Sequence, residues 1–310
     1  MSPENPAQPP PSTRWLVLSV TAPPPGEEIH LAEALRRVGA RALHRRGGRV
    51  LAYIPDPPPL EEVLQQTRGS IRTATSLSDP ELQWEWRSQA EMEQEWIRPD
   101  APLRAGSRTV IATPDQEVEP DGDNLVIRLH PGAAFGDGSH PTTRSSLRML
   151  ERLVRPGDRV ADVGTGSGVL AIAAARLGAG TVLAFEVDRM AVREAERNIR
   201  LNQVGDRVRL QRLEVSPGDL VPMGPFQGIF ANLEPGIVLP LADELRGALA
   251  NAEGWLVVSG VPRGERAAVV QVLLRHRFRL DLEEVRQGWW TGVFRAGQGD
   301  PGGTEKGPMC

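Results

Sequence analysis

The stretch that most restricts what this chain can fold into is Val160-Ala161-Asp162-Val163-Gly164-Thr165-Gly166-Ser167-Gly168-Val169-Leu170, where a short apolar run meets three alternating glycines and then a helix-like segment. It reads as a strand, a tight turn and a helix start. Glycine admits positive φ and lets a ligand lie against bare backbone, whose amides point outward at the helix N-terminus. The turn is therefore expected to cradle a ligand. Its spacing is G-x-G-x-G, tighter than the G-x-G-x-x-G that seats a pyrophosphate in dinucleotide sites. A second strand is expected over Thr181–Phe185, ending at Glu186, 22 residues after Gly164. An acid about 20 residues beyond the first glycine is placed to accept both ribose hydroxyls of a nucleotide-like ligand.

Led by Asp162 and followed by Glu186, the Gly164/Gly166/Gly168 turn resembles the binding turn of class I methyltransferases, where the zwitterionic methionine moiety of S-adenosyl-L-methionine (AdoMet) takes the place of phosphates. The resemblance implies AdoMet as cofactor, contacted by Asp162, Gly164, Gly166, Gly168 and Glu186.

The chain has 310 residues, enough for two domains of ordinary size, and a hydrophobic share of 40% suffices for packed cores. Its formal net charge of −4 gives no global basic field, so direct nucleic-acid binding is not expected. Cys310 is the single cysteine, which excludes internal disulfides and Cys-rich zinc sites and fits a reducing cytoplasm; no metal site is expected. The N-terminus lacks a basic and an apolar signal region, and no apolar run approaches the roughly 20 residues of a membrane span.

Residues 1–13 and 297–310 are polar and rich in Pro or Gly and are expected to be disordered tails. Residues 14–88 carry strand and helix patterns in the order β-α-β-β-α-β, which suggests a small ferredoxin-like domain. A linker is expected over 89–106, and an α/β domain over 107–296 with a Rossmann-like seven-stranded sheet. Within it, Arg108–Ala112 and Asn124–Leu129 read as paired strands, a helix follows Pro141, and Phe278–Val285 with Trp290–Arg295 reads as a closing hairpin.

A more specific resemblance covers residues 84–296. The segment Ala134-Phe135-Gly136-Asp137-Gly138-Ser139-His140-Pro141-Thr142-Thr143 reproduces almost in full the AFG-x-G-x-HPTT pattern of the PrmA family, bacterial enzymes that methylate lysines of large-subunit ribosomal protein eleven. Asn232, at the end of the expected fourth strand, matches the family's Asn. The resemblance implies that Thr143, Gly164, Glu186 and Asn232 contact AdoMet, that protein eleven is the substrate and that residues 14–88 hold it. The chain departs from the family in reading Asn232-Leu233-Glu234-Pro235 where an apolar continuation is usual, and in carrying Glu186 where Asp is usual.

Asn232 is the expected catalytic residue: its side-chain carbonyl could orient a neutral amine, although an Asn at a strand end also suits a turn. His140 is positioned either to cap the helix that starts at Pro141 or to act as a base. Glu234 is either an attractor of a cationic lysine or a solvated loop acid, and Trp289-Trp290 is expected to be packing rather than a methyl-lysine cage. Two other functions stay open: the same fold acting on another protein or a small amine, and a protein that binds AdoMet without catalysis.

Overall fold

A computed structural model describes residues 14–24, 27–40, 42–46, 48–55, 57–88, 91–92, 101–119 and 122–297. The expected N-terminal tail, residues 298–310 of the C-terminal one, and most of the expected linker before residue 101 lie outside the described residues. The described residues divide into two compact units, one N-terminal to residue 98 that also takes in 131–135, the other formed by 98–130 and the chain from 136.

The first unit runs β1 (Arg14–Thr21), α1 (Glu28–Arg37), β2 (Ala42–Arg46), β3 (Arg49–Pro55), α2 (Leu60–Ala74) and β4 (Leu82–Ser88). Its four strands form an antiparallel sheet in the order β2-β3-β1-β4. Period-two alternation turns Leu16, Leu18 and Val20 of β1 to one face, where they meet Leu31, Ala34 and Leu35 of α1 and Val63, Leu64 and Ile71 of α2. The helix residues recur at the spacing that makes one apolar stripe.

The second unit opens with a small sheet of β5 (Leu103–Arg104), β6 (Thr109–Ala112) and β7 (Leu125–Arg128), in which β6 and β7 pair in parallel. Helix α3 (Pro141–Leu153) leads into β8 (Arg159–Val163), α4 (Val169–Arg176), β9 (Thr181–Glu186), α5 (Arg189–Leu201), β10 (Val208–Arg212) and β11 (Gly228–Asn232). Short helices α6 (Pro235–Val238) and α7 (Ala242–Ala248), β12 (Trp255–Pro262), α8 (Arg266–Arg275), β13 (Phe278–Arg286) and β14 (Trp289–Ala296) complete it.

Strands β8 to β14 form one sheet in the order β10-β9-β8-β11-β12-β14-β13. The pairings from β10 to β12 are parallel, and β14 runs against both of its neighbours. This is the Rossmann-like class I methyltransferase sheet, closed by a hairpin at one edge. Both faces are covered: Val160, Val182, Phe230 and Val257 pack under α3 and α4, while Ala161, Leu183, Ile229 and Leu256 pack under α7 and α8. Continuous apolar runs such as Ile229-Phe230-Ala231 are what a strand buried on both faces requires. The strand order reverses at β8, and open α/β sheets bind ligands beyond the carboxyl ends of the strands at such a point, here β8 and β11.

Candidate active site

Three chain segments converge beyond those strand ends. The first is the turn after β8, whose glycines all take positive φ: +77° at Gly164, +55° at Gly166 and +85° at Gly168. Gly164 is required twice over, because a side chain there would be strained and its Cβ would collide with Leu233 Cδ2. Gly168 is the left-handed residue preceding α4.

The amides of this turn do not all face outward as the sequence alone suggests. Gly164 N and Thr165 N both donate to Phe185 O, at 3.0 and 2.9 Å, and Gly166 N donates to Glu186 Oε2 at 2.9 Å. Glu186 also accepts from Val187 N and Asp188 N through Oε1 at 2.9 and 3.0 Å, which locks its carboxylate at the end of β9. Behind the turn Asp162 is fully buried, with Oδ2 accepting from Thr165 Oγ1 at 2.6 Å. Burial pushes its carboxyl up to about 7, the nearby Glu186 carboxylate adds to the rise, and the Thr165 hydroxyl and Ala171 amide oppose it. A carboxylate already sits where a pyrophosphate would meet the Gly166 amide, so the turn disfavours an anionic ligand and suits one that carries hydroxyls and positive charge.

The second segment is 136–143. His140 caps α3, its Nδ1 accepting from Thr142 N at 3.4 Å and lying 2.8 Å from Thr142 Oγ1. Its ring meets Trp289 edge-on at 4.9 Å. The capping alternative is therefore the one realised. Thr143, in the first turn of α3, is fully buried and its Oγ1 has no hydrogen-bond partner.

The third segment follows β11. Asn232 ends that strand half-buried, its Oδ1 enclosed and without a partner. Leu233 packs on Gly164 and on the other side meets Gly260, where a Cβ would lie 2.8 Å from Leu233 O. Gly260 also has a φ of +82°. Two glycines thus let the Asn232 loop lie directly on the cofactor turn. Glu234 is exposed at the start of α6 and makes no capping bond, while Trp290 is fully buried with Nε1 donating to Glu283 Oε2 at 2.8 Å. Trp290 is packing, as expected.

Positive-φ glycines, a locked acid at the end of the second parallel strand, and three buried side-chain oxygens that lack partners, on Thr143, Asn232 and Asp162, make a site for a polar ligand. Buried polar groups normally find partners, so Thr143 Oγ1 and Asn232 Oδ1 fit a site completed by a bound molecule. The sequence model of the family described as ribosomal protein L11 methyltransferase (PrmA) matches residues 27–296.

The chain belongs to the PrmA family.

Among relatives in that family, the ribosomal protein L11 methyltransferase of Chloroflexus aurantiacus is 35% identical over 300 residues, covering 84% of this chain and 91% of the relative. The enzyme of that description from Pelotomaculum thermopropionicum is 32% identical over 310 residues, covering 90% and 97%. The crystal structure of ribosomal protein L11 methylase from Lactobacillus delbrueckii subsp. bulgaricus shares 33% identity with a TM-score of 0.57, over 64% of this chain and all of that one. As a PrmA member the chain is an AdoMet-dependent protein methyltransferase.

Some residues of the site carry no motif. Ser167 Oγ donates to Gly136 O at 2.9 Å, tying the two glycine-rich loops together. Asn198, fully buried on α5, donates to Ser167 O and accepts from His130 N, both at 2.9 Å. Asn202, one turn on, binds Arg128 N and O in the same way. The signal available for this pair was two Asn four residues apart on one face of a charged helix.

Proposed function

We propose that this enzyme transfers methyl groups from AdoMet to lysine side-chain amines, and to the N-terminal amine, of large-subunit ribosomal protein eleven. The observation that carries the proposal is Asn232: a buried, unpartnered carbonyl oxygen held on the cofactor turn by Leu233 between Gly164 and Gly260.

AdoMet supplies an already activated methyl group, so the protein's share of the chemistry is alignment and exclusion of water. In this reading Glu186 would accept from the ribose hydroxyls through the capacity left on its carboxylate and Gly166 would give the ligand access to backbone, while Gly168, where a Cβ would lie 3.3 Å from Ala195 Cβ, lets the turn pack on α5. Thr143 Oγ1 and the Asp162 side of the turn meet the methionine moiety. An attacking amine must be neutral, whereas free lysine has a pKa near 10.4; enclosure at the site favours its neutral form. Asn232 Oδ1 accepts one amine hydrogen and Leu233 O a second, which leaves the lone pair directed along the line of transfer. An amide is not a base, so the proton leaves to water as the amine is enclosed, before the methyl group is transferred.

The first unit is read as ferredoxin-like, from its split β-α-β-β-α-β order and antiparallel sheet, and as the module that holds the ribosomal protein. Residues 14–88 then form that module; the expected linker 89–106 ends in β5, which pairs with β6, so the catalytic domain takes in that strand together with residues 107–296. No helix among the described residues is long and apolar enough to cross a membrane. The substrate places the enzyme in the cytoplasm. Labelled AdoMet incubated with purified enzyme and ribosomal proteins tests the reading: label confined to protein eleven supports it, and label on other proteins alone, or on none, overturns it.

A further inference from the structure

Ser259 is fully buried on β12 and pairs in register with Asn232, and its carbonyl accepts from Leu233 N at 3.1 Å. Its Oγ lies 2.6 Å from Thr291 Oγ1 and donates to Thr142 O over a longer 3.4 Å. A serine hydroxyl carries one proton, so donation to the Thr142 carbonyl leaves Ser259 to accept from Thr291. Thr291 is also buried, on β14 two residues from the Trp289 that meets His140. The first turn of α3, which presents Thr143, is thereby fixed to the sheet at two places: through Thr142 to the Ser259 and Thr291 hydroxyls, and through His140 to Trp289. Through its backbone, Ser259 also holds the strand end that presents Asn232. One residue thus joins the two elements that carry the unpartnered oxygens of Thr143 and Asn232.

We propose that Ser259, acting with Thr291, is a positioning residue for methyl transfer: it sets the spacing between Thr143 and Asn232 while touching neither reactant. The inference rests on the roles given above to those two residues. The physical warrant is that alignment dominates such a transfer, and small displacements of an orienting group cost far more rate than binding. Ser259 and Thr291 are not placed to take up a proton from the amine, because their hydroxyls are committed to each other and to Thr142.

The test compares Ser259→Ala, Thr291→Val, which keeps shape but removes the hydroxyl, and Thr291→Ser, which keeps the hydroxyl. With protein eleven as acceptor, Ser259→Ala and Thr291→Val should lower kcat about tenfold with little change in KM, and Thr291→Ser should restore most of it. Combined with Asn232→Ala, either should cost nothing beyond Asn232→Ala alone. Losses that multiply, or a kcat left at the wild-type value, overturn the proposal, as does a Thr291→Ser enzyme as slow as Thr291→Val. If Ser259→Ala fails to fold, Thr291→Val carries the same comparison. If the wild-type enzyme transfers nothing to protein eleven, the substrate reading fails and calorimetry of AdoMet binding decides the matter. Ser259→Ala and Thr143→Val should then weaken binding by less together than their separate losses predict, and independent losses overturn the proposal.

Discussion

Glu186 Oε2 accepts a hydrogen bond from the Gly166 amide at 2.9 Å, so the acid at the end of β9 and the turn after β8 form one unit. The carboxylate both shapes the turn and offers its remaining lone pairs to the ligand. Glu186→Ala should therefore weaken AdoMet by roughly tenfold to a hundredfold, from the loss of charge-assisted bonds worth about 1.5–3 kcal/mol. Titration calorimetry with AdoMet reads this directly, and wild-type affinity in the variant would remove Glu186 from the site.

Asp162 gives the free enzyme a pH-dependent stability. Its carboxyl is pushed up to about 7 by burial, from the ordinary aspartate value of 3.8. Between these values the folded protein binds more protons than the unfolded chain, so stability falls as pH rises from about 4 to about 7 and then levels off. The full effect is on the order of 4 kcal/mol. Asp162→Asn should abolish this slope and melt at a higher temperature than wild type at pH 8. Parallel melting curves for the two proteins from pH 4 to 8 would show that the carboxyl is ionised throughout.

At Gly260 a Cβ would lie 2.8 Å from Leu233 O, and the φ of +82° is unfavourable for any side chain. Gly260→Ala should cost about 1–3 kcal/mol of stability through backbone strain. Because the displaced residue adjoins Asn232, kcat should also fall, by about tenfold. Steady-state kinetics beside thermal denaturation separates the two effects; a destabilised enzyme with unchanged kcat would mean that the Leu233 contact does not set the geometry of Asn232.

The rate of transfer should rise with pH until the bound amine is neutral, with an apparent pKa below the 10.4 of free lysine because enclosure disfavours the charged form. A kcat profile from pH 6 to 11 checks it. A rate that falls with rising pH over that range would require an acid in the mechanism that this account does not contain.

Much of the architecture is written in local patterns. The apolar runs of β8, β9, β11 and β12 are buried on both faces, and Pro141 and the Gln287-Gly288 turn mark a helix start and a hairpin by backbone chemistry alone. The G-x-G-x-G spacing, the acid at Glu186 and Asn232 were legible for the same reason, since each motif residue sits at a strand end or turn whose geometry it dictates. What sequence could not show is where the turn amides go: Gly164 and Thr165 donate back to Phe185 O, a tertiary pairing that no local propensity encodes. Ser167, Asn198 and Ser259 were missed because each acts through a partner at least 31 residues away in sequence. His140 shows the converse, for its capping position before Pro141 was visible and its Nδ1 contact with Thr142 realises it.

The central claim is that Asn232 aligns a lysine amine of the ribosomal protein for methyl transfer. Intact-mass spectrometry of large-subunit protein eleven, after incubation with AdoMet and either wild-type enzyme or Asn232→Ala, tests it most directly. The account predicts added units of about 14 Da, one per methyl group transferred, with wild type. With Asn232→Ala it predicts a rate lower by tenfold or more, roughly, while AdoMet affinity changes far less. No added mass with wild-type enzyme under conditions where calorimetry shows AdoMet bound would contradict the substrate, and equal losses of rate and affinity in Asn232→Ala would contradict the role of Asn232.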